Sequence, residues 1–138
     1  MDREKFIKLV SAGTLSSSAM MAVTACATYR YVEARHIGKQ LEVSKSSFGE
    51  DTFVLTRNPG SNAPIYLGKH TDGTYSALSL ECTHRQCTVN PTGKTFTCPC
   101  HGSRYDQEGR ILEGPARRDL FSFSVTTDAD TIYIQLPT

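Results

Sequence analysis

Short runs of apolar residues with a period of two mark much of the chain beyond residue 50. Residues 53–55, 65–67 and 75–78 are rich in β-branched, aromatic and other apolar side chains. Two further series alternate with polar neighbours near the end: Phe121, Phe123 and Val125, then Ile132, Ile134 and Leu136. Alternation of this kind is typical of strands that bury one face. These segments are therefore predicted to be β-strands.

Turn-forming residues separate the predicted strands. Asn58-Pro59-Gly60, Asp72-Gly73 and Asp128-Ala129-Asp130 each lie between two apolar runs, and Asp-Gly is a strong hairpin signal. Residues after Cys26 show no convincing helical period and no internal repeat. The pattern predicts a small all-β domain, an antiparallel sandwich or barrel, whose strands are interrupted between Glu81 and Arg118.

The first 25 residues differ from the rest. Arg3, Lys5 and Lys8 precede an uncharged stretch, residues 9–25, that is rich in Ser, Ala, Thr and Met. With few large apolar side chains, this stretch suits a signal-peptide core better than a membrane span. Residues 23–26 resemble a bacterial lipobox with Cys26 as the lipidated residue, and residues 2–8 are similar to a twin-arginine signal with Glu4 in place of the second arginine. A retained transmembrane anchor is the alternative.

Length and composition limit the number of domains and the class of protein. A chain of 138 residues and 15.2 kDa has room for one domain, or for one domain and a short targeting or anchoring segment. With 38% hydrophobic and 21% charged residues, disorder and a polytopic membrane protein are excluded. The formal net charge is +1, and basic and acidic residues balance once residues 1–25 are left out. No nucleic-acid partner is expected.

The chemistry of the chain is concentrated in two cysteine–histidine boxes. The first box is Cys82-Thr83-His84-Arg85-Gln86-Cys87, and the second is Cys98-Pro99-Cys100-His101-Gly102-Ser103. One thiolate and one imidazole from each box would make a site that accepts zinc or an iron–sulfur cluster. Two plain disulfides would use the same four cysteines but would leave both histidines without a role.

The two boxes resemble those of the Rieske [2Fe–2S] proteins, whose patterns are C-x-H-x-G-C and C-P-C-H-G-S. The resemblance implies that a [2Fe–2S] cluster is bound between the boxes. Cys82 and Cys98 would hold one iron. His84 and His101 would hold the other.

Further roles are implied by the same resemblance. Cys87 and Cys100 match the disulfide of the high-potential branch of the family. Ser103 matches a serine that donates a hydrogen bond to a bridging sulfide, and Tyr105 a tyrosine that donates to a ligand sulfur. Gly114 and Pro115 look like the start of the loop that covers the cluster.

One position departs from the family pattern, and a second differs from the quinol-oxidising members of the family. Gln86 stands where the family has glycine, so a positive φ there would cost on the order of 1 kcal/mol. Arg85 stands where quinol-oxidising members have an apolar residue, and a charge at this tip suits a polar partner. Outside the boxes, His36 and His70 are expected on the surface. Tyr29, Tyr31 and Tyr66 are expected to pack on the sheets.

The implied function is one-electron transfer, without a catalytic residue or substrate pocket of the chain's own. We expect a signal or anchor segment at 1–25 and a Rieske domain at 26–138, with a cluster-binding subdomain at about 81–118. The protein is expected in a bacterial cell envelope, membrane-tethered and facing the periplasm. Its partner would be a redox protein or a membrane quinol-oxidising complex. A zinc-binding structural lipoprotein is the alternative.

Overall fold

The computed structural model describes residues 28–138. In this part of the chain there are twelve strands and one short 3-10 helix, Lys45–Phe48. In chain order, β1 to β12 are Arg35–Ile37, Gln40–Ser44, Phe53–Thr56, Ile65–Lys69, Tyr75–Ser79, Asn90–Thr92, Thr95–Thr97, Arg104–Tyr105, Ile111–Glu113, Ser122–Phe123, Val125–Thr127 and Thr131–Gln135. The predicted segment 1–25 and Cys26 lie outside the described residues. Between residues 28 and 138, no helix is long and apolar enough to cross a membrane.

The strands form three antiparallel sheets of four strands each among the described residues. The first has the order β1-β2-β12-β11, the second β10-β5-β4-β3 and the third β6-β7-β8-β9. The first two sheets, called the base below, contain every strand that the alternating runs predicted. The prediction of an all-β fold is therefore confirmed.

A core of aliphatic side chains joins the two sheets of the base. In the first sheet, Ile132 is opposite Val43 and Ile134 is opposite Leu41, so the buried faces of β2 and β12 coincide. These residues form one cluster with buried residues of the second sheet, including Val54 and Leu67. Each such side chain stabilises the fold by about 1.5–3 kcal/mol when fully buried. The base is thus stabilised mainly by apolar burial.

The predicted turns lie where the sequence placed them. Asp72 and Gly73 connect β4 to β5, with Gly73 at a φ of 84°, and residues 128–130 connect β11 to β12. The strands β1 and β2 were not predicted. All three residues of β1 are exposed, so that strand has no apolar alternation to reveal it.

Residues 81–118, called the two-box subdomain below, interrupt the base as expected but are not strand-free. They form the third sheet, from strands of only two or three residues. A second cluster of buried residues, including Val89, Phe96 and Tyr105, packs this subdomain on Leu78 and Leu80 of the base. The two boxes are therefore carried on a small sheet that rests on one end of the second sheet.

Residues outside the boxes behave largely as expected. His36 and His70 are exposed, and His70 Nε2 is 2.9 Å from Ser76 Oγ. The rings of Tyr29 and Tyr66 pack against Phe53, with centroid distances of 5.8 and 4.8 Å. The expectation for Tyr31 was wrong. Its backbone pairs with Leu55, but its side chain is 63% exposed.

Candidate metal centre

The first box is a tight turn that begins just after the second sheet. A backbone bridge between Glu81 and Thr88 closes its base, and Cys82 N–H donates to the Cys87 carbonyl at 2.8 Å. Gln86 N–H donates back to the Cys82 carbonyl, also at 2.8 Å. Gln86 has a φ of 61°, which favours glycine. The strain expected at the residue that replaces the family's glycine is therefore confirmed.

The second box connects β7 to β8 by a similar turn. Cys98 N–H donates to the Ser103 carbonyl at 2.8 Å, and Gly102 N–H donates to the Cys98 carbonyl at 3.0 Å. Gly102 has a φ of 83°, which an L side chain adopts only with strain. In both boxes the first cysteine thus lies at the start of a turn that the backbone itself holds closed.

A disulfide joins the two boxes. Cys87 and Cys100 are bonded, with their Cα atoms 6.5 Å apart. Cys82 and Cys98 are unbridged, and only 1% and 2% of their surfaces are exposed. The pairing implied by the resemblance is confirmed, and the interpretation as two plain disulfides is wrong for this structure.

The remaining sulfurs and imidazoles come together in matching pairs. The thiols of Cys82 and Cys98 are near enough for each to influence the pKa of the other. The rings of His84 and His101 meet edge to face, with centroids 4.9 Å apart. His84 Nδ1 is buried without a hydrogen-bond partner, an arrangement that costs free energy unless a ligand satisfies it. Two sulfurs and two imidazoles, one of them with an unsatisfied nitrogen, fit the donor set of a histidine-ligated [2Fe–2S] cluster.

The electrostatics of the two thiols differ. Burial raises the pKa of the Cys82 thiol, but hydrogen bonds from Tyr105 and the His84 backbone outweigh it, so the pKa lies below its ordinary value. Burial and the contact with Cys82 keep the pKa of Cys98 above its ordinary value. The surroundings of Cys82 therefore favour a thiolate, which is the form that binds metal.

Tyr105 and Thr83 form a small network beside Cys82. The Tyr105 hydroxyl lies 3.4 Å from Cys82 Sγ and 3.2 Å from Thr83 Oγ1. The Thr83 hydroxyl donates to the Arg118 carbonyl at 2.6 Å, so the Tyr105 proton remains for the sulfur or for Thr83. Burial and Cys82 raise the pKa of Tyr105, which keeps it a donor. Sequence reasoning did not single out Thr83, although its position inside the first box was a signal.

Ser103, the last residue of the second box, supports another loop. Its side chain is fully buried, and its Oγ accepts a hydrogen bond of 3.0 Å from Ala116 N–H. The hydroxyl proton stays free to donate elsewhere. Gly114 and Pro115, which are exposed, directly precede this contact. The loop expected to cover the site is therefore anchored to the second box through Ser103.

Comparison with known proteins agrees with this geometry. Residues 28–124 match the model of the Rieske [2Fe-2S] domain. The chain belongs to this family, and its cofactor is a [2Fe–2S] cluster. The alternative of a zinc-binding lipoprotein is not supported.

Several relatives are iron-sulfur subunits of the same kind of complex, from different organisms. The chain is 44% identical to the cytochrome b6-f complex iron-sulfur subunit 2 of Nostoc sp. over 51% of its length and 42% of that protein. It thus spans less than half of this relative. It is 30% identical to the cytochrome b6-f complex iron-sulfur subunit of Desmonostoc sp., over 97% of this chain and 84% of that one.

Solved structures show the same fold. The plasma membrane Rieske protein of the cyanobacterium Synechocystis superposes with a TM-score of 0.57 at 27% identity, over 67% of this chain and 94% of that one. A chain from the complex of reduced oxygenase and oxidized ferredoxin in carbazole 1,9a-dioxygenase gives a TM-score of 0.54 at 22% identity, over 70% and 93%. The second likeness concerns the fold alone.

Proposed function

We propose that this protein is a membrane-tethered one-electron carrier whose cluster is bound between the two boxes. Cys82 and Cys98 would hold one iron, and His84 and His101 the other. The observation that carries this assignment is that two boxes joined by a disulfide each supply one unbridged, buried cysteine and one histidine, and that the two histidine rings pack edge to face. When bound, a cluster of this type exchanges one electron at a potential of roughly −150 to +300 mV.

The residues around the site would set where in that range the potential lies. Reduction places negative charge on the sulfurs, so a donor aimed at a sulfur binds the reduced state more strongly. Tyr105 is placed to donate to Cys82 Sγ at 3.4 Å, and Ser103 keeps a free hydroxyl proton. Both residues would raise the potential. The loop at Gly114 and Pro115 would limit access of water to the centre.

The proposed partner is a quinol-oxidising membrane complex or another redox protein of the envelope. Support comes from the relatives that are cytochrome b6-f subunits and from the plasma membrane Rieske protein of similar fold. Residues 1–25 would direct the chain to a bacterial envelope, where Cys26 would carry a lipid or the segment would remain as an anchor. The domain facing the periplasm would then be 26–138, with its cluster-binding part at about 81–118.

The ligand assignment is tested by metal analysis and electron paramagnetic resonance. Protein purified without oxygen should contain two irons and two labile sulfides per chain. Replacing Cys82, His84, Cys98 or His101 with Ala should abolish the spectrum of the reduced cluster. His70→Ala is the matched control, because His70 is exposed at the far end of the β4–β5 hairpin. Stoichiometric zinc without labile sulfide would overturn the proposal.

The membrane tether is tested separately. Mass spectrometry of the protein from native membranes should find a diacylglycerol on Cys26 and no residues 1–25. Cys26→Ser should release the domain from the membrane fraction with its spectrum intact. An intact N-terminus in membranes would show a retained anchor instead, and a wild-type protein wholly in the soluble fraction would contradict a tether of either kind.

A further inference from the structure

A groove runs along one side of the first box. It has a volume of about 520 Å³ and is lined by residues of both the box and the base, among them His84, Arg85, Arg118 and Phe121. A second groove shares the lining residues Ser79, Glu81 and Phe121 with it, so the two grooves adjoin at the end of the second sheet. A partner seated here would lie directly against His84.

An exposed aromatic ring stands where the two grooves join. Phe121 is 51% exposed, and its ring packs edge to face on the more deeply buried Phe123, with centroids 4.9 Å apart. Its backbone carbonyl accepts a hydrogen bond of 2.8 Å from Ser79 N–H, which fixes the segment to the second sheet. A rigid, exposed aromatic side chain is a common anchor in protein interfaces.

The charged groups at the groove are not equally available. Within residues 28–138, neither Arg85 nor Arg118 forms an ion pair, and both are exposed. The two carboxylates at the groove accept hydrogen bonds from other groups of the chain, and among residues 28–138 neither pairs with an arginine. Glu81 accepts a hydrogen bond from the Ser61 hydroxyl, and Asp119 accepts one from Ile111 N–H at 2.9 Å. Both guanidinium groups thus have no ion-pair partner in the described part of the chain, and each can bind a partner's carboxylate with paired hydrogen bonds.

We propose that this groove is the docking surface for an acidic redox protein, which sets carboxylates on Arg85 and Arg118 around an apolar contact with Phe121. The proposal rests on the electron-carrier function above and names the side of the centre at which the electron is exchanged. It also accounts for the arginine in a position where an apolar residue would suit insertion into a quinol pocket.

Cytochrome c in two forms provides a matched pair of probes. The unmodified protein is basic, and its fully succinylated form is acidic because its lysines carry carboxylates. Binding is measured by calorimetry with both proteins oxidised, so that no electron passes. The succinylated form should bind more tightly, and its affinity should fall as salt is added. Electron transfer from the reduced protein, followed by stopped flow, should show the same preference by about tenfold or more.

Charge reversal in the groove should remove this preference. Arg85→Glu and Arg118→Glu should each weaken binding of the succinylated probe by about tenfold at low salt. Lys69→Glu changes the net charge equally at the far end of the β4–β5 hairpin, so it should have less than about a twofold effect. Phe121→Ala should weaken binding without changing its salt dependence, since Phe121 carries no charge.

The possible outcomes test the docking surface and the electron-carrier function separately. Equal losses in Arg85→Glu and Lys69→Glu would overturn the docking surface, because only net charge would then matter. Tighter binding of the unmodified cytochrome would overturn it as well. Each variant should keep the visible spectrum of the cluster. A wild-type protein without that spectrum would overturn the electron-carrier function, while the calorimetry would still decide the docking surface.

Discussion

The base and the two-box subdomain are held together by different means. In the base, strands of up to five residues pair along their length over an aliphatic core in which Val43, Val54 and Ile132 have no exposed surface. In the two-box subdomain no strand exceeds three residues, and the loops are fixed by a disulfide and by turns closed through backbone hydrogen bonds. Apolar burial thus stabilises a scaffold, whereas local cross-links fix the positions of a few polar atoms.

Removal of the disulfide should produce the largest difference in stability between the base and the two-box subdomain. The Cys87→Ala/Cys100→Ala variant should lose about 3 kcal/mol of unfolding free energy, since the bond closes a loop of sequence separation 13. Hydrogen exchange should accelerate in β6–β9 and stay slow in β2 and β12. Equal acceleration in both regions would show that the base depends on the subdomain as much as the reverse.

A tightly packed glycine tests the contact between the regions. A Cβ atom on Gly109, whose φ is 82°, would lie 3.0 Å from Leu78 Cδ2 and 3.2 Å from Leu120 Cβ. Gly109→Ala should destabilise by about 2–3 kcal/mol, from overpacking and backbone strain together. Gly93, at a φ of 67° with open space around it, is the control and should cost only about 1 kcal/mol. Equal losses in thermal unfolding would mean that the contact is easily displaced.

The polar atoms of the subdomain should tune the redox potential. A hydrogen bond is worth about 1 kcal/mol or more to a charged acceptor, so Tyr105→Phe and Ser103→Ala should each lower the midpoint by roughly 40–100 mV. The double variant need not be additive, since both bonds act on one charge. Protein-film voltammetry measures the shift. Unchanged midpoints with intact clusters would show that these hydroxyls do not face the sulfurs.

The strained residue of the first box gives a smaller effect of opposite sign. Gln86→Gly should stabilise the protein by about 0.5–1 kcal/mol, because glycine adopts the φ of 61° without steric cost. Gln86→Ala keeps the strain and removes only the rest of the side chain. A gain in thermal stability for the alanine variant as large as that for glycine would contradict this explanation.

A charged turn in the base should give the smallest effect. The Tyr133 hydroxyl, with the N–H groups of Asp130 and Thr131, lowers the pKa of Asp128 below its ordinary value of 3.8. A lowered folded-state pKa adds stability that is present above the unfolded value and is lost as pH falls through the folded value. Asp128→Asn should therefore reduce stability at neutral pH and flatten its loss below about pH 4. Denaturation across pH checks this, and parallel curves would contradict it.

The sequence predicted the two regions to different extents. Period-two alternation identified β12, where Ile132 and Ile134 share one buried face, but it could not reveal β1, which is wholly exposed. Strands of the third sheet are too short to show a period, and β6 contains Pro91. In the two-box subdomain, the two boxes predicted the site because cluster ligation requires particular residue types at particular spacings. The exposure of Tyr31 depends on packing that no local pattern records.

The candidate docking groove could be predicted only in part. Arg85 could be singled out because it stands where quinol-oxidising members of the family have an apolar residue. Phe121 appears in the sequence only as one more apolar position of an alternating run. The chain brings them together by returning from the two-box subdomain to the second sheet through residues 119–122. A surface assembled from distant segments leaves no mark in the spacing of any one of them.

The buried Ser103 oxygen limits how this protein could be engineered. It receives the Ala116 N–H that anchors the Gly114–Pro115 loop, and the same hydroxyl is the proposed donor to the cluster. A substitution of Ser103 made to change the redox potential would therefore also weaken the anchoring of the Gly114–Pro115 loop. The Tyr105 oxygen holds the first box only through longer contacts, 3.4 Å from the Thr83 nitrogen and 3.2 Å from Thr83 Oγ1, and therefore offers a cleaner route. Variants chosen for potential should come first from position 105, and libraries at position 103 should be screened for oxygen tolerance as well.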